Sequence, residues 1–521
     1  MTAASAAVFL YPELKEKNKM KYIIGIDIGT TATKGVLYEK NGVEVAKLAI
    51  SYPLIQEKIG QAEEDPRLIF DAVQKIIYQL SQQVDGKIIA VSWSSQMHSL
   101  IGLDRNGELI TNSITWADNR SSQIVENAKE NGLAQTIYER TGMPAHPMAP
   151  VYKLLWLKKT MPEVFTQVKK WIGIKEYVIW RLTGRFLTDT TMAAGSGMLE
   201  LKTLTWDEKI LALVGINKAQ LPIVARPQEI VGNVIEEYQD KLGLNKDTQI
   251  ILGASDGYLS TIGVGVFDEN YFALNIGTSG AVRVIAPKAI VDKKDRFFCY
   301  PIDQRHYLLG GPVNNGGIVF EWARKTIFGQ NETAEDFLNI VQTVPAGSNG
   351  LIFHPYLGGE RAPIWNAQAR GSFVGLTRNH TKPQMARSVL EGIIFNLLGA
   401  AQGLLDQVGK PKALRITGGF VKSDFIRQMI ADIFNLPVVV IKNEQSGTLA
   451  AMFLAQTALE KSTDLKEIRK YTTESQIYFP NPQNVIIYQE LLPIYREVEH
   501  ELSSSYGKIA HFQEKHPQIF E

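Results

Sequence analysis

The sequence predicts an α/β protein of two similar domains facing each other across a central cleft, and three observations predict it. The stretch Asp27-Ile28-Gly29-Thr30, followed by Thr31, recurs in altered form as Asn275-Ile276-Gly277-Thr278, followed by Ser279. Each copy closes an apolar strand, Tyr22 to Ile28 and Tyr271 to Ile276, with a small-residue turn whose N–H groups and hydroxyls suit phosphate oxygens. At 521 residues the chain is also too long for one ordinary core.

The elements follow in order. Met1 to Lys19 lack the basic start and long apolar run of a signal peptide, so 1–20 reads as a disordered extension, with Met20 as an alternative start. After the first strand, Lys34 to Glu39 and Val43 to Ile50 flank Asn41-Gly42, a dipeptide suited to a tight hairpin turn. A meander of three strands excludes a Rossmann start, where a helix must come next. Asp65-Pro66 supplies an N-cap and first-turn proline for a helix with Leu68, Ile69, Val73, Ile76, Ile77 and Leu80 on one face. The strand Lys87 to Ser94 follows, and Gln249 to Leu252 leads into Gly253-Ala254-Ser255-Asp256-Gly257, read as a glycine-flanked turn.

The second half repeats the plan. Strands are expected at Tyr271 to Ile276, Ala281 to Ala286 and Arg305 to Leu309, then a long helix from Gln384 to Val408 and a strand from Ala413 to Thr417 that ends at Gly418-Gly419. A helix from Ser423 to Asn435, a strand from Pro437 to Ile441 and a small-residue helix from Ser446 to Leu459, capped by Glu444 or Ser446, complete the alternation. The expected domains are 21–264 and 265–480, joined by a hinge near Gly263 to Phe267, with a surface helical tail over 481–521.

Composition limits the chemistry. A formal net charge of +1 argues against a nucleic-acid footprint or a polybasic membrane patch, and no uncharged apolar run reaches the ~20 residues of a membrane span. Cys299 is the only cysteine, read as a buried unreactive thiol in a reducing cytoplasm. There is no P-loop motif, no dinucleotide fingerprint and no histidine pattern for zinc. Any phosphate falls to the turns at Gly29 and Gly277.

These residues resemble the actin-like ATPases, whose ribonuclease H-like domains hold ATP between paired phosphate loops, and within them the FGGY carbohydrate kinases. The resemblance spans Tyr22 to Leu459. One family signature runs from Met148-Ala149-Pro150 through Lys153 to Leu157 and departs only at Thr160, where Glu, Asn, Gln or His is usual. A second, Gly371 to Leu376 continuing through Gln384-Met385 to Ser388-Val389-Leu390-Glu391, fits throughout. Thr115-Trp116-Ala117-Asp118-Asn119-Arg120, Gly310 to Gly317 and Gly359-Glu360-Arg361-Ala362-Pro363 resemble bacterial gluconate kinases in particular. Xylulose kinases usually carry glycine on both sides of Gln-Met-His; here Gln96-Met97-His98 stands between Ser95 and Ser99.

The resemblance implies ATP and Mg²⁺ as cofactors, gluconate as acceptor, and allows a homodimer. It makes Asp256 the base that accepts the acceptor's proton. Asp27 is expected to meet magnesium through water. Gly29, Thr30 and Thr31 would approach the transferred phosphate; Gly277, Thr278, Ser279, Asn314, Gly317, Gly418 and Gly419 would hold the nucleotide. The acceptor would be recognised in the first half by Met97, His98, Trp116, Asp118, Arg120 and Lys175, and its carboxylate by Arg120, Lys175, His98 or His146. The alternatives are a kinase for xylulose or another polyol, and a non-enzymatic nucleotide switch.

Overall fold

A computed structural model describes residues 9–10, 20–442, 445–462 and 464–516. The first seven-stranded sheet is built from β1 (Phe9–Leu10), β2 (Lys21–Ile28), β3 (Ala32–Glu39), β4 (Glu44–Ser51), β5 (Lys87–Ser95), β6 (Ile230–Asn233) and β7 (Gln249–Ser255). Its spatial order is β1-β4-β3-β2-β5-β7-β6. Within the stretch read as a disordered extension, β1 pairs antiparallel with β4.

The second sheet also has seven strands: β8 (Tyr271–Ile276), β9 (Gly280–Ala286), β10 (Phe298–Pro301), β11 (Tyr307–Val313), β12 (Ala413–Thr417), β13 (Val438–Ile441) and β14 (Glu474–Tyr478). Its order is β10-β11-β9-β8-β12-β13-β14. The repeat seen in the turns is therefore a repeat of topology. In each sheet the strand before the turn pairs antiparallel with its hairpin partner and parallel with a later strand, then a second parallel pair is followed by an antiparallel edge. Asp27 stands beside Ser94 of β5, and Asn275 beside Thr417 of β12, so the two residues occupy equivalent positions.

Local signals explain several elements. Helix α1 (Pro66–Ser81) starts where Asp65 accepts from the amide of Arg67 with proline in the first turn. Its buried face carries Ile69, Val73, Ile76, Ile77 and Leu80, whereas Leu68 is exposed. At about 100° per residue, Leu68 lies a full step off that face. Gly35 lets α1 sit close on β3, because a Cβ there would stand 2.2 Å from Ile76.

Asp256 opens helix α2 (Asp256–Ile262), with Ser255 as N-cap, where the sequence suggested a turn. Arg305 lies outside β11, since the carboxylate of Asp303 takes the amides of Arg305 and His306 and turns the chain before Tyr307.

Helix α3 (Lys382–Val408) is long and apolar enough in composition to cross a bilayer, yet 83% of its most apolar window is buried inside the protein. Helices α4 (Asp424–Phe434) and α5 (Ser446–Glu460) follow, and α5 crosses back to pack on β2 and β5 of the first sheet. Tyr38 on β3 bonds the hydroxyl of Thr448 on α5 at 2.9 Å. Glu444 lies outside the described residues. Ser446 is the first residue of α5 rather than its cap, which is Gln445.

Helix α6 (Pro482–Lys515), expected as a surface tail, buries Val485, Tyr488, Leu491, Tyr495, Tyr506 and Ala510. Tyr488 donates to Glu391, which also takes Arg387, Ser348 and the amide of Gly347. Glu391, from the second family signature, is thus a structural anchor. Cys299 is buried, and burial pushes its thiol up to about 12.

Candidate active site

Both turns line one cavity of about 410 Å³ between the sheets. It collects Asp27, Thr30, Met97, His98, Trp116 and Asp256 from the first half and Asn275, Ser279, Arg283, Phe298, Tyr300 and Arg361 from the second. Lys34 and Gln445 also line an adjoining cavity of about 670 Å³ that runs past Gly418 and Gly419. Gly418 has φ +116°, and a Cβ there would stand 2.2 Å from the Ile276 carbonyl, so only glycine fits. Gly419 has open space instead.

Asp27 projects from the end of β2, and its Oδ1 accepts from Ser94 at 2.7 Å. Among the described residues no cluster of three or more metal-ligating groups forms. The remaining oxygen of a single carboxylate suits a hydrated Mg²⁺ that draws most of its ligands from water and phosphate. Lys34 stands opposite Asp27 in the ladder and lines both cavities.

In the turns, the amides of Gly29 and Gly277 are consumed internally, by the carbonyls of Ala32 and Ser279. Gly29, Thr31, Gly277 and Thr278 adjoin the cavity without lining it. Asn314 and Gly317 line neither cavity. Asn314 is tied to Glu360 and Gly358, and the amide of Gly317 donates to Gly277. Gly317 braces the second turn, and Asn314 ties its strand end to the Gly358–Glu360 segment.

Asp256 accepts the amide of Gly257 at 2.7 Å. Burial pushes its carboxyl up to about 6; Arg283 opposes that shift and Asp27 adds to it. His98 sits at φ +68°, a backbone region costly for a side-chain-bearing residue. It is held there by Lys153 of the first family signature, whose buried ammonium donates to the carbonyls of His98, Ile114 and Thr115. Nδ1 of His98 donates to the Gly195 carbonyl at 2.7 Å, and burial lowers the ring to about 3, so Nε2 is a bare acceptor.

Three residues expected at the acceptor are committed elsewhere. Asp118 takes the amide of Ala62 and the side chain of Arg120, and Arg120 also pairs with Glu63. Lys175 is fully buried and pairs with Asp189. None of the three lines the cavity. His146 lies against Trp365, outside the lining, and burial drops its ring well below 6.5.

The expectation that the first half alone forms this wall is corrected by Arg283, Phe298, Tyr300 and Arg361. Arg361 was legible as part of its motif but not as a cavity residue, and Arg283 had no local signal. The start of α5, Ser446 to Thr448, also faces the cavity.

Two sheets of equal topology with a shared cavity define a two-domain fold of the actin-like ATPase kind. The chain belongs to the FGGY family of carbohydrate kinases: residues 22–263 match the family's N-terminal domain and residues 272–459 its C-terminal domain. A gluconokinase of Bacillus subtilis (strain 168) is 40% identical over 503 residues, 94% of this chain and 98% of that protein. The crystal structure of a gluconate kinase from Lactobacillus acidophilus superimposes with a TM-score of 0.93 at 62% identity, covering 94% of this chain and 100% of the other. A ligand-bound xylulose kinase from Lactobacillus acidophilus superimposes with a TM-score of 0.92, with the same identity and coverage.

Proposed function

We propose that the chain is a gluconate kinase that transfers the γ-phosphoryl group of ATP to the C6 hydroxyl of D-gluconate, giving 6-phosphogluconate and ADP. Phosphoryl transfer leaves a protein little covalent work beyond alignment, charge neutralisation and one proton transfer. Asp256 accepts the proton of the C6 hydroxyl as that oxygen attacks phosphorus. His98, through Nε2, accepts from a second hydroxyl and orients the sugar acid. Thr30, Ser279 and Lys34 hold phosphate oxygens, and Gly418 and Gly419 give the nucleoside close access to backbone. Asp27 would hold the Mg²⁺ carried with ATP, and the ion would supply neutralisation of phosphate charge.

One observation carries the choice of a sugar acid. Arg283 and Arg361 line the cavity with no carboxylate within 4.0 Å of either guanidinium among the described residues. The gluconokinase and gluconate kinase relatives support the same reading. Xylulose is the second candidate acceptor, favoured by the ligand-bound relative of equal identity. A cytoplasmic setting suits an ATP-consuming enzyme whose single thiol is buried.

The test is ADP release in a coupled assay with and without gluconate, and location of the phosphate on the product. Gluconate-dependent turnover with phosphate at C6 supports the reading. ATP hydrolysis that no acceptor stimulates would instead mark a nucleotide switch.

A further inference from the structure

The two arginines of the cavity are not equivalent. The guanidinium of Arg361 has partners: it lies 4.9 Å from the ring centre of Trp116, and Nη2 donates to the Val313 carbonyl at 3.0 Å. Its neighbour Glu360 is already satisfied by the amides of Asn314 and Arg361 and by the side chains of Asn315 and Asn396. Arg283 has almost nothing. Among the described residues its one hydrogen bond is a 3.5 Å contact from Nη1 to Ser260, where Arg361 has a 3.0 Å bond, and its Nε, like that of Arg361, is buried without a partner. A guanidinium desolvated with so few acceptors is expensive unless an anion completes it.

The chain also makes room for this side chain. Arg283 on β9 stands opposite Gly310 on β11, where a Cβ would come within 3.0 Å of its Cγ. On the other side a Cβ at Gly257 would stand 3.2 Å from its Nε. Two glycines thus leave a slot through which the guanidinium reaches the cavity from the second half, beside Asp256 and Tyr300.

We infer that Arg283 is the carboxylate receptor of the acceptor site and the residue that selects sugar acids over neutral sugars. The inference rests on the gluconate reading and refines it. Arg283 and Asp256 line the same cavity, and gluconate, unlike a neutral sugar, brings a carboxylate for the guanidinium as well as a hydroxyl for the base. Because Arg283 belongs to the second sheet and His98 to the bend after β5 in the first half, the acid itself bridges the two halves. The competing role for Arg283 is to balance the charge of Asp256, and the two roles have different kinetic signatures.

The experiment compares wild type, Arg283→Gln and Arg283→Lys by measuring kcat and KM for gluconate and for xylulose at saturating MgATP, with pH profiles. Removing a charge-assisted carboxylate contact lowers the ratio of kcat/KM for gluconate to that for xylulose by about 100-fold, chiefly through KM for gluconate. Arg283→Lys recovers part of that ratio. An unchanged ratio, with kcat falling for both acceptors and the acid limb of the profile displaced upward, assigns Arg283 to Asp256 and overturns the inference. An unchanged ratio with unchanged kcat overturns it as well. Wild-type enzyme that favours xylulose sinks the gluconate reading before any variant is made, and the inference with it.

Discussion

The indole nitrogen of Trp116 donates a 2.8 Å hydrogen bond to the hydroxyl of Thr30, which itself donates to Gln96 at 2.9 Å. A residue expected at the acceptor is thereby bonded to a residue of the turn expected at the transferred phosphate. Gln96 passes the chain on to Glu64, whose carboxyl burial raises to about 7. Trp116→Phe keeps a ring beneath Arg361 and deletes the link. A neutral hydrogen bond is worth ~1 kcal/mol, so kcat with gluconate should fall roughly 5- to 10-fold. Turnover within twofold of wild type would show that the link does not position Thr30.

Asp256→Asn keeps shape and removes the proposed base. Turnover should fall by at least about 10³-fold, at the steeper end of the range for a lost general base.

The same substitution has a signed effect on stability. The carboxyl of Asp256 is pushed from an ordinary value of 3.8 to about 6 in the fold, mainly by burial, so folding favours its protonated form. That contribution is present below pH ~4 and lost as pH rises through about 6. The ionised group therefore destabilises the protein at pH 7, by up to about 3 kcal/mol. Asp256→Asn should unfold at an equal or higher temperature at pH 7, with the gain vanishing near pH 4. A lower melting temperature at pH 7 would contradict this.

The pH dependence follows from the same group. A base must be ionised to accept a proton, so kcat/KM for gluconate should rise with unit slope below about pH 6 and level off above it. An acid limb centred near pH 4 would mean that Asp256 is not held in the environment described.

Lys175→Met tests the reassignment of a residue first expected at the acceptor. Lys175 and Asp189 are both fully buried, and Asp189 also caps the helix Thr190–Gly195 through the amides of Thr191 and Met192. Stranding that carboxylate should cost about 3–5 kcal/mol, read by denaturant titration. KM for gluconate in the folded variant should stay within about twofold. A stable variant with a KM raised tenfold or more would return Lys175 to the acceptor site.

Local signals made much of the fold legible. Asn41-Gly42 and Asp65-Pro66 fix their turn and helix start by backbone chemistry that acts over a few residues, and the Asp27 and Asn275 turns proved equivalent in register. What escaped depends on partners far apart in sequence. Arg283 is a cavity residue only because Gly257 and Gly310 clear its path, and Lys34 because a hairpin sets it opposite Asp27. Lys175 looked like a free cation until the fold brought Asp189 to it, and Arg120 is tied by Glu63 from far in the sequence as well as by its neighbour Asp118. The start of α5 reaches the cavity by crossing to the first sheet, which no window of sequence displays.

Selection of a sugar acid by this cavity, the proposal from which the acceptor roles follow, can be measured on the wild-type enzyme alone. Competition of gluconate against xylulose for limiting MgATP, with both phosphorylated products quantified, tests it most directly. 6-Phosphogluconate should be the dominant product, by a factor of about 100 at equal acceptor concentrations if an unshared carboxylate contact decides between them. Xylulose 5-phosphate as the main product would contradict it.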